Sequence, residues 1–150
     1  MKKIFKSKGF TIVFIICLIF LWIFIEMGGL MGKFTDLEEK YRIHIPKSVS
    51  LQEKHLPEPS FFGDGIRFYV LTTNSNMENT ILDKNKMKQE FSQEQIALIR
   101  GCNNYFEKEK ATQIEIDHPL KYKEIKVLDD TLLIIYDETA NKYFLIDSRI

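Results

Sequence analysis

The chain has 150 residues, with 21 basic and 21 acidic side chains and a formal net charge of zero. Four of the basic residues and one of the acidic residues fall in positions 1–32, which leaves 17 basic and 20 acidic residues in positions 33–150. This slightly acidic remainder does not resemble a nucleic-acid-binding protein, which would carry a basic patch. Its length suits one domain with its own core and is too short for two.

Residues 10–25, FTIVFIICLIFLWIFI, contain no charge, no proline and no glycine. Together with the apolar residues that follow, they extend an apolar stretch from Gly9 to about Met31, close to the roughly 20 residues of a membrane-spanning helix. Four lysines precede this stretch, and the positive-inside bias keeps such a terminus in the cytoplasm. We therefore predict that residues 1–32 form a basic tip and a transmembrane signal-anchor. The chain is therefore predicted to be a single-pass protein of the cell membrane with an extracellular C-terminal domain.

A cleaved secretory signal is the alternative interpretation of the same residues. Its apolar region normally spans only about 7–15 residues, and its cleavage site needs small side chains. Met27 and Leu30 occupy positions where the cleavage motif needs a small side chain, so they favour a retained anchor. A buried helix of a soluble core is the less favoured third interpretation, because the stretch is apolar on all sides.

Residues 33–45 predict a short helix, with Thr35 or Asp36 as its N-cap and an end before Pro46. The prolines and glycines between Pro46 and Gly65 then predict an extended linker. Residues 33–65 are accordingly interpreted as a short helix and a Pro/Gly-rich linker. We expect the α+β extracytoplasmic domain to occupy residues 66–150.

Residues 66–73, IRFYVLTT, are β-branched and aromatic and predict a strand. A short helix is predicted next, with Met77, Ile81 and Leu82 as its apolar face. The stronger helix signal lies in residues 91–106, where Ser92-Gln93-Glu94-Gln95 matches a capping box. A stripe of residues at helical spacing follows the box, and Gly101 is a candidate early end of the helix. The stripe consists of Ile96, Ile99, Cys102 and Phe106.

The hydrophobic period changes to two after Thr112, where Ile114 and Ile116 alternate with acidic residues up to Pro119. Three strands are predicted beyond it, at residues 122–128, 131–136 and 143–146, and their short spacing indicates an antiparallel meander. The fold class predicted is therefore α+β, an antiparallel sheet with two or three helices packed on one face.

No residue pattern identifies catalytic or metal-binding chemistry. The histidines His44, His55 and His118 lack metal-ligand spacing and are interpreted as solvated surface residues, so neither a metal nor a cofactor is predicted. Cys102 is interpreted as a buried, inert thiol on the helix. Five carboxylates could gather at the ends of the meander, although such positions are also typical of turns. They are Asp129, Asp130, Asp137, Glu138 and Asp147.

The loop of residues 61–65 is the one stretch that suggests a contact site. Phe61 and Phe62 are adjacent and precede the turn Gly63-Asp64-Gly65, where a positive φ is expected. Two neighbouring phenylalanines cannot easily both enter a core from a turn. We therefore take Phe61, Phe62 and Asp64 as a candidate partner contact, the alternative being that both rings pack over the sheet edge.

Several short motifs resemble those of a group of small, uncharacterised membrane-anchored proteins of Gram-positive bacteria. That group shares an N-terminal hydrophobic segment, a linker with proline, a Gly-Asp-Gly turn and a final β-hairpin. The resemblance spans roughly residues 36–150, departs at residues 112–123, and implies an extracytoplasmic α+β domain with no known activity. The motifs are Ile45-Pro46-Lys47, Gly63-Asp64-Gly65 before Phe68-Tyr69-Val70, and Ile135-Tyr136-Asp137 with Tyr143 and Ile146-Asp147.

The sequence thus favours a membrane-anchored, non-enzymatic binding module, such as an immunity or envelope accessory. Its expected partners are the membrane and another envelope protein, without nucleic acid. A structural subunit of a membrane complex is one alternative, suggested by small residues at Gly28, Gly29 and Gly32 that allow close helix approach. An envelope-acting enzyme that uses the clustered carboxylates is the less favoured alternative.

Overall fold

The computed structural model describes residues 33–57 and 65–149. The chain divides into two units, Met1–Thr35 and Asp36–Ile150. The predicted anchor lies outside the described residues. Within the described ranges, no helix combines the length and the apolar character that crossing a membrane requires.

The second unit is an α+β domain built on a five-stranded antiparallel sheet, which confirms the predicted class. The strands lie in the order β1-β2-β5-β4-β3, so β5 is inserted between β2 and β4. Short 3-10 turns occur at Lys84–Lys86 and Glu107–Glu109. The elements are α1 (Thr35–Tyr41), β1 (Ser50–His55), β2 (Gly65–Thr72), α2 (Gln93–Phe106), β3 (Leu120–Val127), β4 (Asp130–Asp137) and β5 (Lys142–Arg149).

The meander of β3, β4 and β5 confirms the sequence prediction. A two-residue turn joins β3 to β4, and Leu128 in this turn has a φ of 55° and a side chain that is 96% exposed. β4 and β5 pair along their whole lengths, from Thr131 opposite Ser148 to Asp137 opposite Lys142. The central strands are apolar on both faces, as expected where both faces of a sheet are covered.

Helix α2 covers one face of the sheet. The predicted capping box is present, because the Ser92 side chain accepts from the Gln95 N–H and the Gln95 side chain accepts from the Ser92 N–H. The helix does not end at Gly101 but continues to Phe106. The core between this helix and the sheet consists of Phe68, Val70, Ile99, Cys102, Phe106, Ala111, Ile114, Leu120, Tyr122, Leu133, Ile135, Phe144 and Ile146.

Helix α1 lies on the opposite face, so the prediction that the helices pack on one face is wrong. Ile146 belongs to the core under α2, and its neighbour Asp147 must point to the other face because side chains alternate along a strand. Tyr41 of α1 donates a hydrogen bond to Asp147, with 2.6 Å between the oxygens. The second face buries Leu37, Tyr41, Ile45, Val49, Tyr69, Leu71, Leu132, Ile134 and Leu145.

Two segments differ from their predicted conformation, and the stretch of period two at residues 112–119 forms no strand. Within the expected linker, β1 pairs with β2, with an irregularity between Leu51 and Glu53. The segment predicted as a helix from Met77 is a series of turns, because the Asp83 carboxylate accepts backbone N–H groups that a helix would use. Residues 112–119 form no strand, since the Asn103 side chain binds both the N–H and the C=O of Ile114.

Replacement of Gly101 by alanine is expected to stabilise the domain. A Cβ atom at this position would have no atom within 4 Å, and alanine is favoured over glycine inside a helix by about 1 kcal/mol. Urea unfolding should therefore give a free energy of unfolding higher by about 1 kcal/mol. Ala97→Gly, at an exposed position of the same helix, is the matched control and should lower it by a similar amount. A destabilised Gly101→Ala variant would contradict the continuous helix.

Candidate binding pocket

A polar pocket of about 120 Å³ lies at one end of the sheet. Three strand ends meet there, because Leu71 near the end of β2 and Tyr136 near the end of β4 both lie opposite Tyr143 at the start of β5. The loop after β2 and the hairpin between β4 and β5 complete the wall. The lining residues are Thr73, Ser75, Asn76, Met77, Glu78, Asp83, Lys84, Asn85, Tyr136, Asn141 and Tyr143.

Side-chain hydrogen bonds to the backbone fix the loop after β2. The Asn76 carboxamide oxygen accepts from the Glu78 N–H at 3.0 Å, and the Thr73 hydroxyl oxygen accepts from the Ser75 N–H at 3.1 Å. The Asp83 carboxylate accepts from the N–H groups of Asn79 and Asn85. The hydrogen bond from the Asn79 N–H lowers the pKa of Asp83 below its usual value, and Asn85 and Lys86 contribute less. Burial alone would raise this pKa, but these contacts outweigh it. This carboxylate is therefore an ionised anchor of the loop.

Two tyrosines form the sheet side of the pocket, with ring centroids 4.7 Å apart. The Tyr136 hydroxyl donates to the Asn141 Oδ1 at 2.9 Å. Lys84 Nζ lies 5.1 Å from the centroid of the Tyr136 ring and 3.5 Å from its hydroxyl oxygen. Burial, followed by the charges of Tyr136 and Asp83, raises the pKa of Tyr143 to about 12. The Tyr143 hydroxyl is therefore protonated at neutral pH.

Several donors of the lining have no partner within the described residues. The Asn76 Oδ1 is occupied by a backbone N–H, so its amide nitrogen is the group left free. The Tyr143 hydroxyl makes no hydrogen bond to a described residue, and Lys84 has no carboxylate within ion-pair distance among them. The Asn76 amide nitrogen and the Tyr143 hydroxyl therefore reach solvent, because no buried side-chain polar atom of the described residues lacks a hydrogen-bond partner.

The predicted partner contact, Phe61, Phe62 and Asp64, lies outside the described residues and stays a prediction. Gly65, which ends that turn, does have the expected positive φ of 128°. A Cβ atom there would meet the Pro57 side chain at 2.7 Å, so only glycine fits. The pocket residues themselves were not singled out by the sequence, because they come from three separate segments and form no motif.

Only one of the three histidines is the solvated surface residue that was predicted. The His44 side chain is 77% exposed, whereas that of His55 is 16% exposed between the carboxylates of Glu53 and Glu109. The Nδ1 atom of His118 lies 2.7 Å from Oδ2 of the buried Asp137. The prediction is wrong for His55, whose partners are the nearby Glu53 and the sequence-distant Glu109. His118 departs from the prediction less, because its side chain is 34% exposed although it pairs with Asp137.

The five carboxylates of the meander do not form one cluster. Asp130 and Asp147 lie around Lys40 at one end of the sheet. Asp137 lies at the other end of β4, about 23 Å away by the rise of a strand. In the described part of the chain, no group of three or more histidine, cysteine, aspartate or glutamate side chains is placed to hold a metal ion.

Cys102 lies in the core under α2 and is buried, as predicted. Burial raises the pKa of its thiol to about 12, so the reactive thiolate is scarce at neutral pH.

Comparison with known protein families, with characterised proteins and with solved structures finds no match to this chain.

The pair of His118 and Asp137 should make stability depend on pH. The hydrogen bond to Asp137 raises the pKa of His118, although desolvation opposes this. The stability that protonated His118 contributes is therefore lost as pH rises through its folded-state pKa. Burial would raise the pKa of Asp137, but His118 and the N–H groups of Ala140 and Thr139 outweigh it and lower this pKa. The stability that ionised Asp137 contributes is therefore lost only in more acidic solution.

We expect His118→Gln to reduce the free energy of unfolding most between about pH 4 and 6.5, with a smaller reduction above that range. Urea unfolding across pH 4–9 measures this difference. The same substitution in an Asp137→Asn background is the control and should show no such pH dependence. A difference between wild type and His118→Gln that is constant with pH would contradict the ion pair.

Proposed function

We propose that this chain is a membrane-anchored extracytoplasmic protein whose α+β domain acts as a non-enzymatic binding module. The pocket at the end of the sheet is its recognition site. The observation that carries the proposal is a set of donors at the lining, the Asn76 amide nitrogen, the Lys84 ammonium group and the Tyr143 hydroxyl, none of which has a carboxylate partner among the described residues. Polar groups placed by a scaffold and left without partners are typical of sites that fix the orientation of a ligand.

The size of the pocket supports recognition of one chemical group. Pockets that enclose a whole small molecule have volumes of about 300–1,000 Å³, larger than the 120 Å³ found here. A group at the end of a larger molecule, such as an envelope protein or polymer, fits this volume better than a cofactor does. The resemblance to small membrane-anchored proteins of Gram-positive bacteria is part of the same proposal.

The placement of the carboxylates favours binding over hydrolysis. Asp147 and Asp130 are engaged with Lys40, Asp137 with His118, and Glu138 with Lys121. None of these four carboxylates lines the pocket, and of the two that do, Asp83 and Glu78, Asp83 is already engaged with the N–H groups of Asn79 and Asn85. An acid-base pair at the recognition site would need carboxylates that face a common substrate position.

The anchored topology predicts which cysteines react on intact cells. Leu128→Cys places a thiol at a 96% exposed hairpin tip of the domain, so a membrane-impermeant maleimide should label it from outside. The unmodified chain, whose domain contains only the buried Cys102, is the matched control and should stay unlabelled until it is unfolded. Labelling of Leu128→Cys only after cell lysis would contradict the extracytoplasmic location.

The binding role predicts a partner at the pocket rim. A photoreactive benzoylphenylalanine that replaces the exposed Ser75 should form a defined cross-linked product on illumination of intact cells. The same residue placed at Lys108, in the exposed turn after α2, is the control and should not form that product. Absence of any product specific to position 75 would contradict the recognition site.

A further inference from the structure

We propose that the pocket recognises a free carboxylate at the end of its ligand. This inference rests on the proposed binding role and specifies its chemistry.

The lining offers several free donors beside the free acceptors of Glu78 and Asn85. The side-chain oxygens of Asn76 and Thr73 already accept from backbone N–H groups, which leaves the Asn76 amide nitrogen and the Thr73 hydroxyl hydrogen as donors. The Oδ1 of Asn141 accepts from Tyr136, which leaves its amide nitrogen as a further donor. A ligand rich in acceptors satisfies this lining.

Lys84 supplies the positive charge. Its ammonium group lies over the Tyr136 ring and forms no ion pair with a described residue. By contrast, Asp83 is already satisfied by two backbone N–H groups and lies 3.5 Å from Lys86. Lys84 is therefore free to form a charge-assisted hydrogen bond with a ligand, and such bonds are about twice as strong as neutral ones.

The lining favours a single negative charge over a double one. Glu78 lies in the lining and is exposed, and its carboxylate has no ion-pair partner among the described residues. Because the Glu78 carboxylate already offsets the Lys84 ammonium group, each further negative charge of a ligand adds repulsion, so a monoanion is tolerated better than a phosphate dianion. A carboxylate also has two acceptor oxygens for the neighbouring amide and hydroxyl donors.

The test uses the full 15N-labelled chain in detergent micelles and follows the side-chain amide resonances of Asn76 and Asn141 by NMR. The probes are N-acetylalanine, which ends in a carboxylate, and its neutral amide, which has the same shape. We expect the acid to shift both resonances at concentrations where the amide does not. Glucuronate is a second acid, so its affinity relative to N-acetylalanine distinguishes a sugar-acid source from a peptide terminus. Inorganic phosphate tests the preference for a single charge.

Two substitutions of opposite sign test the residues. Lys84→Gln should weaken binding of the acid about tenfold, as expected for loss of a charged hydrogen bond. Glu78→Gln removes the repelling charge and should strengthen binding by about threefold. Lys108→Gln removes an equal charge from the exposed turn after α2 and should leave the affinity unchanged.

Equal shifts from the acid and its amide, tighter binding of phosphate, or no shift from any probe would overturn the carboxylate inference. An unchanged affinity in Lys84→Gln would overturn it too. The binding role is tested separately by the cross-linked product at position 75, so a product without carboxylate binding would overturn only the ligand class. Absence of that product would overturn the binding role itself.

Discussion

The buried carboxylate of Asp147 is the constraint on which the arrangement of the domain depends. It is fully buried and accepts hydrogen bonds from Tyr41 at 2.6 Å, Arg149 at 2.8 Å and Lys40 at 3.3 Å. A buried charge is tolerated only when it is paired and hydrogen-bonded, and loss of one partner of such a pair costs about 3–5 kcal/mol. Burial first, and then the hydrogen bond to Asp147, raises the pKa of Tyr41, so its hydroxyl remains a donor.

This network determines where α1 lies. Two of the three donors, Lys40 and Tyr41, come from the end of that helix, so the carboxylate holds α1 against the face of the sheet that α2 does not cover. Lys40 also reaches Asp130 at 2.6 Å, at the start of the neighbouring strand. A helix covers each face of the sheet, so the apolar residues on both sides of the central strands are buried. The covered strands form a rigid sheet.

That rigid sheet positions the candidate pocket at its opposite end. Leu71, Tyr136 and Tyr143 lie in one hydrogen-bonded row across three neighbouring strands. Asp83 holds the loop after β2 in its turns by accepting from the N–H groups of Asn79 and Asn85. This loop and the strand row together form the wall of the candidate pocket.

Local patterns in the sequence determined the strands β2 to β5, the helix α2 with its capping box, and the burial of Cys102. In each case the pattern that predicts the feature lies within the residues that form it. The sequence did not reveal β1, because SLQEKH has little apolar character and becomes a strand only through pairing with β2.

Tertiary structure alone decided that α1 and α2 lie on opposite faces, that His55 and His118 have carboxylate partners, and that three segments share a pocket. The pairs of Tyr41 with Asp147 and of His118 with Asp137 are 106 and 19 residues apart in sequence. Periodicity reports which face of an element is apolar, but it does not report which distant group will satisfy a buried charge. Only the folding of the chain brings these distant partners together.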